Sequence, residues 1–114
     1  MDEQDKRIQK VLAGVDKKDE IKAFRAWDEY LDKNLEFPFD ATVVGDYDRG
    51  PLQFGDKISV KRFSIVDDSY GIIVELRRGR KKFDHPLCDL EVINRDSANY
   101  QHVRDYSVWF ANRW

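Results

Sequence analysis

Cysteine, methionine and proline are scarce in this chain, with one Cys, one Met and three Pro in 114 residues. A single thiol, Cys88, excludes an intrachain disulfide framework and agrees with a reducing compartment. Cys88, His85 and His102 are the only thiol and imidazole side chains, one fewer than a closed structural zinc site needs. No apolar run approaches the roughly 20 residues that span a bilayer, and Met1-Asp2-Glu3-Gln4-Asp5 lacks the basic start of a leader peptide. These absences predict a soluble, cytoplasmic protein with no membrane partner. An excess of one charge is also missing. The 22 acidic and 20 basic side chains leave a net charge of −2, so the global field neither attracts nor repels nucleic acid.

Aromatic residues, in contrast, are plentiful. Seven Phe, five Tyr and three Trp within a 41% hydrophobic composition suffice for one modest core, so the charge decorates a folded surface. A single domain over residues 1–114 is expected, with a helical segment over 1–34, a strand region over 37–94 and a helix over 97–112. Ile8, Val11 and Leu12 recur at helical spacing, and Gly14 suits a helix end. Asp16 or Asp19 can cap a second helix, in which Ile21, Phe24, Trp27, Tyr30 and Leu31 share a face. Asn34 and Pro38 then oppose further helix.

Five short strands are predicted next: Ala41 to Val44, Lys57 to Val66, Tyr70 to Leu76, Lys81 to Asp84 and Leu90 to Ile93. In the second, Ile58 and Val60 alternate with polar residues and, after a shift, Phe63 and Ile65 continue the apolar face. Turns fall at Gly45 to Gly55, at Asp67-Asp68-Ser69 and at Arg78-Gly79-Arg80. Ser97 can cap a last helix with Tyr100, Val103, Tyr106 and Phe110 on one face. The predicted class is α+β: a small SH3-like antiparallel β-barrel, closed to remove exposed edges, with two N-terminal helices and one C-terminal helix.

Carboxylates gather at the turns of this β unit, and oxygen ligands on loops suit a hard cation such as Ca²⁺. If the strands follow in antiparallel order, Asp40, Asp67, Asp68, Asp89 and Glu91 collect at one end, where a divalent cation would relieve their repulsion. Asp46, Asp48 and Asp56 form a second group at the opposite end, facing the Arg78 to Arg80 turn. Any site is not an EF-hand, because Lys57 stands where Asp46-Tyr47-Asp48-Arg49-Gly50 would require its twelfth-position Glu.

Other chemistries are weaker. Cys88 and His85 lack a third orienting group, so the thiol reads as core and no enzymatic activity is expected. The basic run Arg77 to Lys82 offers an alternative, a nucleic-acid or protein-binding SH3-like module. Acidic balance elsewhere disfavours nucleic acid, and charged hairpins commonly serve as solvated edges. Trp114 marks a candidate contact for a protein partner.

Three segments carry a resemblance: Leu35-Glu36-Phe37-Pro38-Phe39-Asp40-Ala41, Gly50-Pro51-Leu52-Gln53 and Pro86-Leu87-Cys88-Asp89-Leu90-Glu91. With Trp27, Tyr30-Leu31, Gly55-Asp56, Asp105-Tyr106 and Trp109-Phe110, the chain resembles the cyanobacterial CcbP-type calcium-binding family from about Trp27 to Phe110. The resemblance implies a small bacterial protein that binds Ca²⁺ through acidic surface residues, without catalysis, as a buffer or sensor of cytosolic calcium. Members of that family are acidic, whereas this chain carries only −2.

Overall fold

The computed structural model describes residues 2–16, 18–45, 51–67 and 69–113. Side-chain caps set the helix starts. Asp2 accepts the Asp5 amide at 2.8 Å and opens α1 (Glu3–Val11), and Asp19 accepts the Lys22 amide at 3.1 Å and opens α2 (Glu20–Asn34). Each cap satisfies an amide that the first helical turn leaves without a partner. Ser97 does the same for α3 (Ala98–Asn112) by accepting from Asn99. Helix α2 buries Ala23, Phe24, Trp27 and Leu31, the face its apolar spacing predicts, although Ile21 is exposed.

Five antiparallel strands follow: β1 (Phe39–Val43), β2 (Lys57–Asp67), β3 (Gly71–Arg78), β4 (Lys81–Pro86) and β5 (Leu90–Val92), with a 3₁₀ turn (Leu87–Asp89) before β5. They form one sheet in the order β4-β3-β2-β1-β5. Strands β4 and β5 are therefore opposite edges of an open sheet, and no ladder joins them among the described residues. The architecture is α+β, with three helices and a five-stranded antiparallel sheet. Pro86 ends β4, an edge position where the missing N–H disturbs no ladder.

Strand β2 departs from simple alternation. Ile58 and Val60 are buried, but Ile65 is 62% exposed. Register shifts lie between Val60 and Arg62 and between Phe63 and Ile65. Each extra residue reverses which face the following side chains occupy, and so the inward position predicted for Ile65 is lost. Phe63 instead lies edge-on to Phe37, with ring centroids 5.1 Å apart.

The core is where α2 and α3 meet the sheet. Trp27 and Tyr106 are fully buried and pack edge to face at 5.5 Å, a geometry that aligns ring edge with ring face. The Ile72 amide donates to the Tyr106 hydroxyl at 2.9 Å, tying α3 to β3. Gly71 makes this approach possible, because its φ is +73° and an added Cβ would lie 2.8 Å from the Phe110 ring. Asn99 receives the Glu36 amide at 3.0 Å and donates to the Glu36 carbonyl at 2.9 Å, which anchors the entry to β1. Helix α1 packs Ile8 and Val11, with Leu12 after it, against the core and is also tied to α3 by polar contacts. Asp105, 2% exposed, accepts from Arg7 Nε at 2.7 Å, from Arg7 Nη2 at 3.1 Å and from Gln4 at 3.1 Å.

Candidate metal centre

Strand register decides which carboxylates meet. Residue Asp40 lies opposite Ser59, while Thr42 lies opposite Glu91. Ala41, Val43, Leu90 and Val92 are buried, so Asp40 and Glu91 share the outer face as diagonal neighbours, with Cα atoms on the order of 7–8 Å apart. Glu91 also meets Arg95 at 3.5 Å.

Asp67 lies elsewhere. The sequence pattern puts the start of β1 level with the end of β2, but Phe39 pairs with Val60, in the first half of that 11-residue strand. Asp67 therefore lies eight positions beyond Ser59, roughly 26 Å along an extended strand. Its side chain accepts the Ser69 and Tyr70 amides at 2.7 and 2.9 Å. Those two bonds, Tyr70's first, hold the carboxyl below the usual range, since donors to the charged form favour it. The expected convergence of Asp40, Asp67 and Asp89 is thus corrected by the unequal lengths of β1 and β2.

Asp89 also changes ends. Its carbonyl accepts the Val44 amide at 2.9 Å, placing it beside the exit of β1 rather than the entry. From the other flank, the Asp56 carbonyl accepts the Val43 amide at 3.0 Å. Successive amides of one strand point to opposite sides, so Asp56 and Asp89 bracket the exit of β1, with backbones about 10 Å apart across two strand spacings. Two residues assigned to opposite ends by sequence order are therefore brought to one end. Asp46, Asp48 and Asp68 lie outside the described residues.

Cations already stand at several carboxylates. Arg78 Nη1 lies 3.0 Å from Asp56 Oδ2 and also donates to the Pro51 carbonyl at 2.9 Å. Glu75, 8% exposed, meets Lys82 at 2.9 Å and Arg62 at 3.3 Å. The hydrogen bond from Lys82 is the main cause holding its carboxyl below the usual range. Arg78 and Lys82 of the basic run are consequently engaged with carboxylates. The pairing of Arg78 with Asp56 is legible in sequence only as two facing turns, and that of Lys82 with Glu75 only once β3 and β4 are in register.

A family model described as calcium binding, of the CcbP type, matches residues 6–110. The chain belongs to the CcbP calcium-binding family. Calcium binding is therefore its function at family level, and this is not an enzyme family. No curated protein matches the chain. Among solved structures, the crystal structure of Anabaena CcbP has a TM-score of 0.73 at 24% identity, covering 97% of this chain and 92% of that one. A calcium-binding protein in its calcium-binding form has a TM-score of 0.64 at 21% identity, with 95% and 89% covered. At these identities the two structures establish the shared fold. Among the described residues, no helix is long and apolar enough to cross a membrane.

The donor set of this CcbP-family chain suits calcium in kind. Asp56, Asp89, Asp40 and Glu91 offer hard oxygens. The Cys88 thiol is pushed up to about 12, first by burial and then by the charge of Asp89, so it stays protonated and is a poor ligand for a soft metal. The set falls short in number. No group of three or more His, Cys, Asp or Glu side chains that could hold a metal occurs among the described residues, whereas Ca²⁺ takes six to eight oxygens.

Proposed function

We propose that this chain binds Ca²⁺ at the exit of β1, where Asp56 and Asp89 flank the strand and the acidic residues next in sequence, Asp46 and Asp48, contribute further oxygens. Asp40 and Glu91, on the outer face, form a second and weaker carboxylate pair. Asp67 and Asp68 are left out of this reading, because Asp67 is committed to its own turn. The observation that carries it is the pair of backbone bonds from Val43 to Asp56 and from Val44 to Asp89. They fix two carboxylate-bearing residues from distant parts of the chain on either side of one strand end.

The action is electrostatic. Like charges held together by the fold repel, a divalent ion relieves that repulsion, and binding to the native state stabilises it. In this reading the protein is a single domain over 1–114, a cytoplasmic calcium buffer or sensor with no reaction of its own. An SH3-like barrel curvature is part of the same reading and is supported by the two register shifts in β2. The engagement of Arg78 and Lys82 with Asp56 and Glu75 weighs against a nucleic-acid-binding module, because it lowers the charge left for phosphates.

Calorimetric titration with Ca²⁺ tests the site. Asp89→Asn is expected to weaken binding about tenfold or more, since it removes one charged ligand, while Asp67→Asn leaves the isotherm unchanged. An Asp89→Asn isotherm that overlays the wild type would refute the location.

A further inference from the structure

Strand β2 outruns its neighbour. The ladder with β1 covers only residues 57–60 of β2, whereas β3 pairs with it as far as Asp67, so the edge facing away from β3 is uncovered beyond Val60. Among the described residues, no other backbone group bonds to residues 61–66. Phe37 packs on Phe63, which leaves Ser64, Ile65 and Val66 as the open stretch. Such an edge presents unpaired amides and carbonyls to an extended chain, and no lysine or proline guards it here. Ile65 is 62% and Val66 46% exposed. Consecutive strand residues point to opposite faces, so both faces of the strand are open at this point.

The open stretch forms one wall of a groove of about 400 Å³, and α2 forms the other with Asp28, Glu29 and Asp32. Among the described residues, none of these three carboxylates forms a salt bridge. Burial first, and then the charges of Asp32 and Glu29, raise the Asp28 carboxyl above its ordinary range, as crowded negative charge without a cation does. We infer that this groove takes an extended basic segment of a partner protein, which adds a strand to β2 at residues 64–66 and sets lysine or arginine side chains against Asp28, Glu29 and Asp32. Backbone bonds to a sheet edge supply attraction, and the flanking carboxylates supply the choice of partner. Side chains alternate along a strand, so a segment of alternating basic and β-branched residues offers cations to α2 and apolar pairs to β2. A second copy of this chain fits worse, because joining two β2 edges brings two sets of these carboxylates together. The groove lies at the other end of β2 from Lys57 and the exit of β1, and it needs no metal.

Nuclear magnetic resonance titration of the isotope-labelled full chain at low salt tests this, using a short peptide of alternating Lys and Val. Peptides of alternating Glu and Val and of alternating Lys and Ser are the controls. The Ser64, Ile65 and Val66 amides are expected to shift most and to exchange more slowly in the complex. The Glu and Val peptide should not bind, and the Lys and Ser peptide should bind more weakly. The Asp28→Asn, Asp32→Asn double variant should lose about threefold or more in affinity, as two exposed charge pairs allow. Ile65→Lys should also lose affinity, because it sets a like charge on the edge. Phe54→Lys makes the same charge change at a residue 71% exposed and outside the groove, and should bind as the wild type does. Thermal melts identify any variant that misfolds, and the peptide series on the wild type carries the test without the variants. No binding of the Lys and Val peptide, equal binding of the Glu and Val peptide, shifts centred outside residues 64–66, or equal losses in Ile65→Lys and Phe54→Lys would overturn the inference. A concentration-dependent dimer that shifts the same amides would also overturn it, by giving the edge to a second copy.

Discussion

Replacing Arg7 by Met removes the charge that faces Asp105 while keeping most of the aliphatic stem that covers the helix surface. The Asp105 side chain is 3% exposed and that of Arg7 34%, so the substitution strands a buried carboxylate rather than a solvated one. Two of the three hydrogen bonds to it disappear, leaving the one from Gln4. Breaking a fully buried pair from one side costs roughly 3–5 kcal/mol. The partial exposure of Arg7 and the surviving Gln4 contact bring the expected loss to about 2–3 kcal/mol. With about 2.1 cal/mol/K per residue, 114 residues give an unfolding entropy near 0.24 kcal/mol/K, so Tm should fall by roughly 8–12 °C. Helix α1 buries no residue completely, which offers an escape: the helix can lift and let water reach Asp105. Amide exchange should then quicken in α1 before it does in β2 and β3. Calorimetry together with hydrogen exchange measures both effects. A Tm within about 2 °C of the wild type, with unchanged exchange in α1, would refute a structural role for the pair.

Gly71→Ala should destabilise by about 3 kcal/mol or more, read from the urea midpoint, because it adds steric conflict to an unfavourable positive φ. Its Cβ would crowd Phe110 at 2.8 Å and Phe24 at 3.0 Å, whereas Gly79, with φ +62°, has nothing within 4 Å. Gly79→Ala should therefore cost only about 1–2 kcal/mol of backbone strain, and equal losses at the two positions would contradict the packing account. Burial is the first cause holding both His85 and His102 below the ordinary imidazole range. As pH falls through about 6.5, the unfolded chain takes up protons before the folded one. Stability is complete above that pH and declines below it, until the folded imidazoles also titrate. Urea midpoints should accordingly drop between pH 7 and 5, and a flat midpoint across that window would show that the two rings are not buried in neutral form.

Local chemistry made much of the fold legible. Asp19 and Ser97 are helix caps because their short oxygens satisfy nearby amides. The periodic placement of Phe24, Trp27 and Leu31 marks the buried face of α2, since one helix turn returns a side chain to the same side. Gly79 marks the β3–β4 turn at φ +62°. The shift after Val60 shows in the sequence as a break in alternation, but the exposure of Ile65 was not legible, because the second shift, between Phe63 and Ile65, depends on the partner strand. The candidate site was half legible. Asp56 and Asp89 stand out as loop carboxylates, but strand order alone assigns them to opposite ends.

Composition and spacing by themselves determined that this chain would build an α+β unit with acidic turns, because helix caps, apolar period and turn residues act over a few positions. Only the tertiary structure decided which carboxylates become neighbours. Pairing Phe39 with Val60 and Val43 with Leu90 carries Asp67 away from Asp40 and brings Asp89 to the same strand end as Asp56. Register is set by core packing on the opposite face of the sheet, and the polar residues are placed as its consequence.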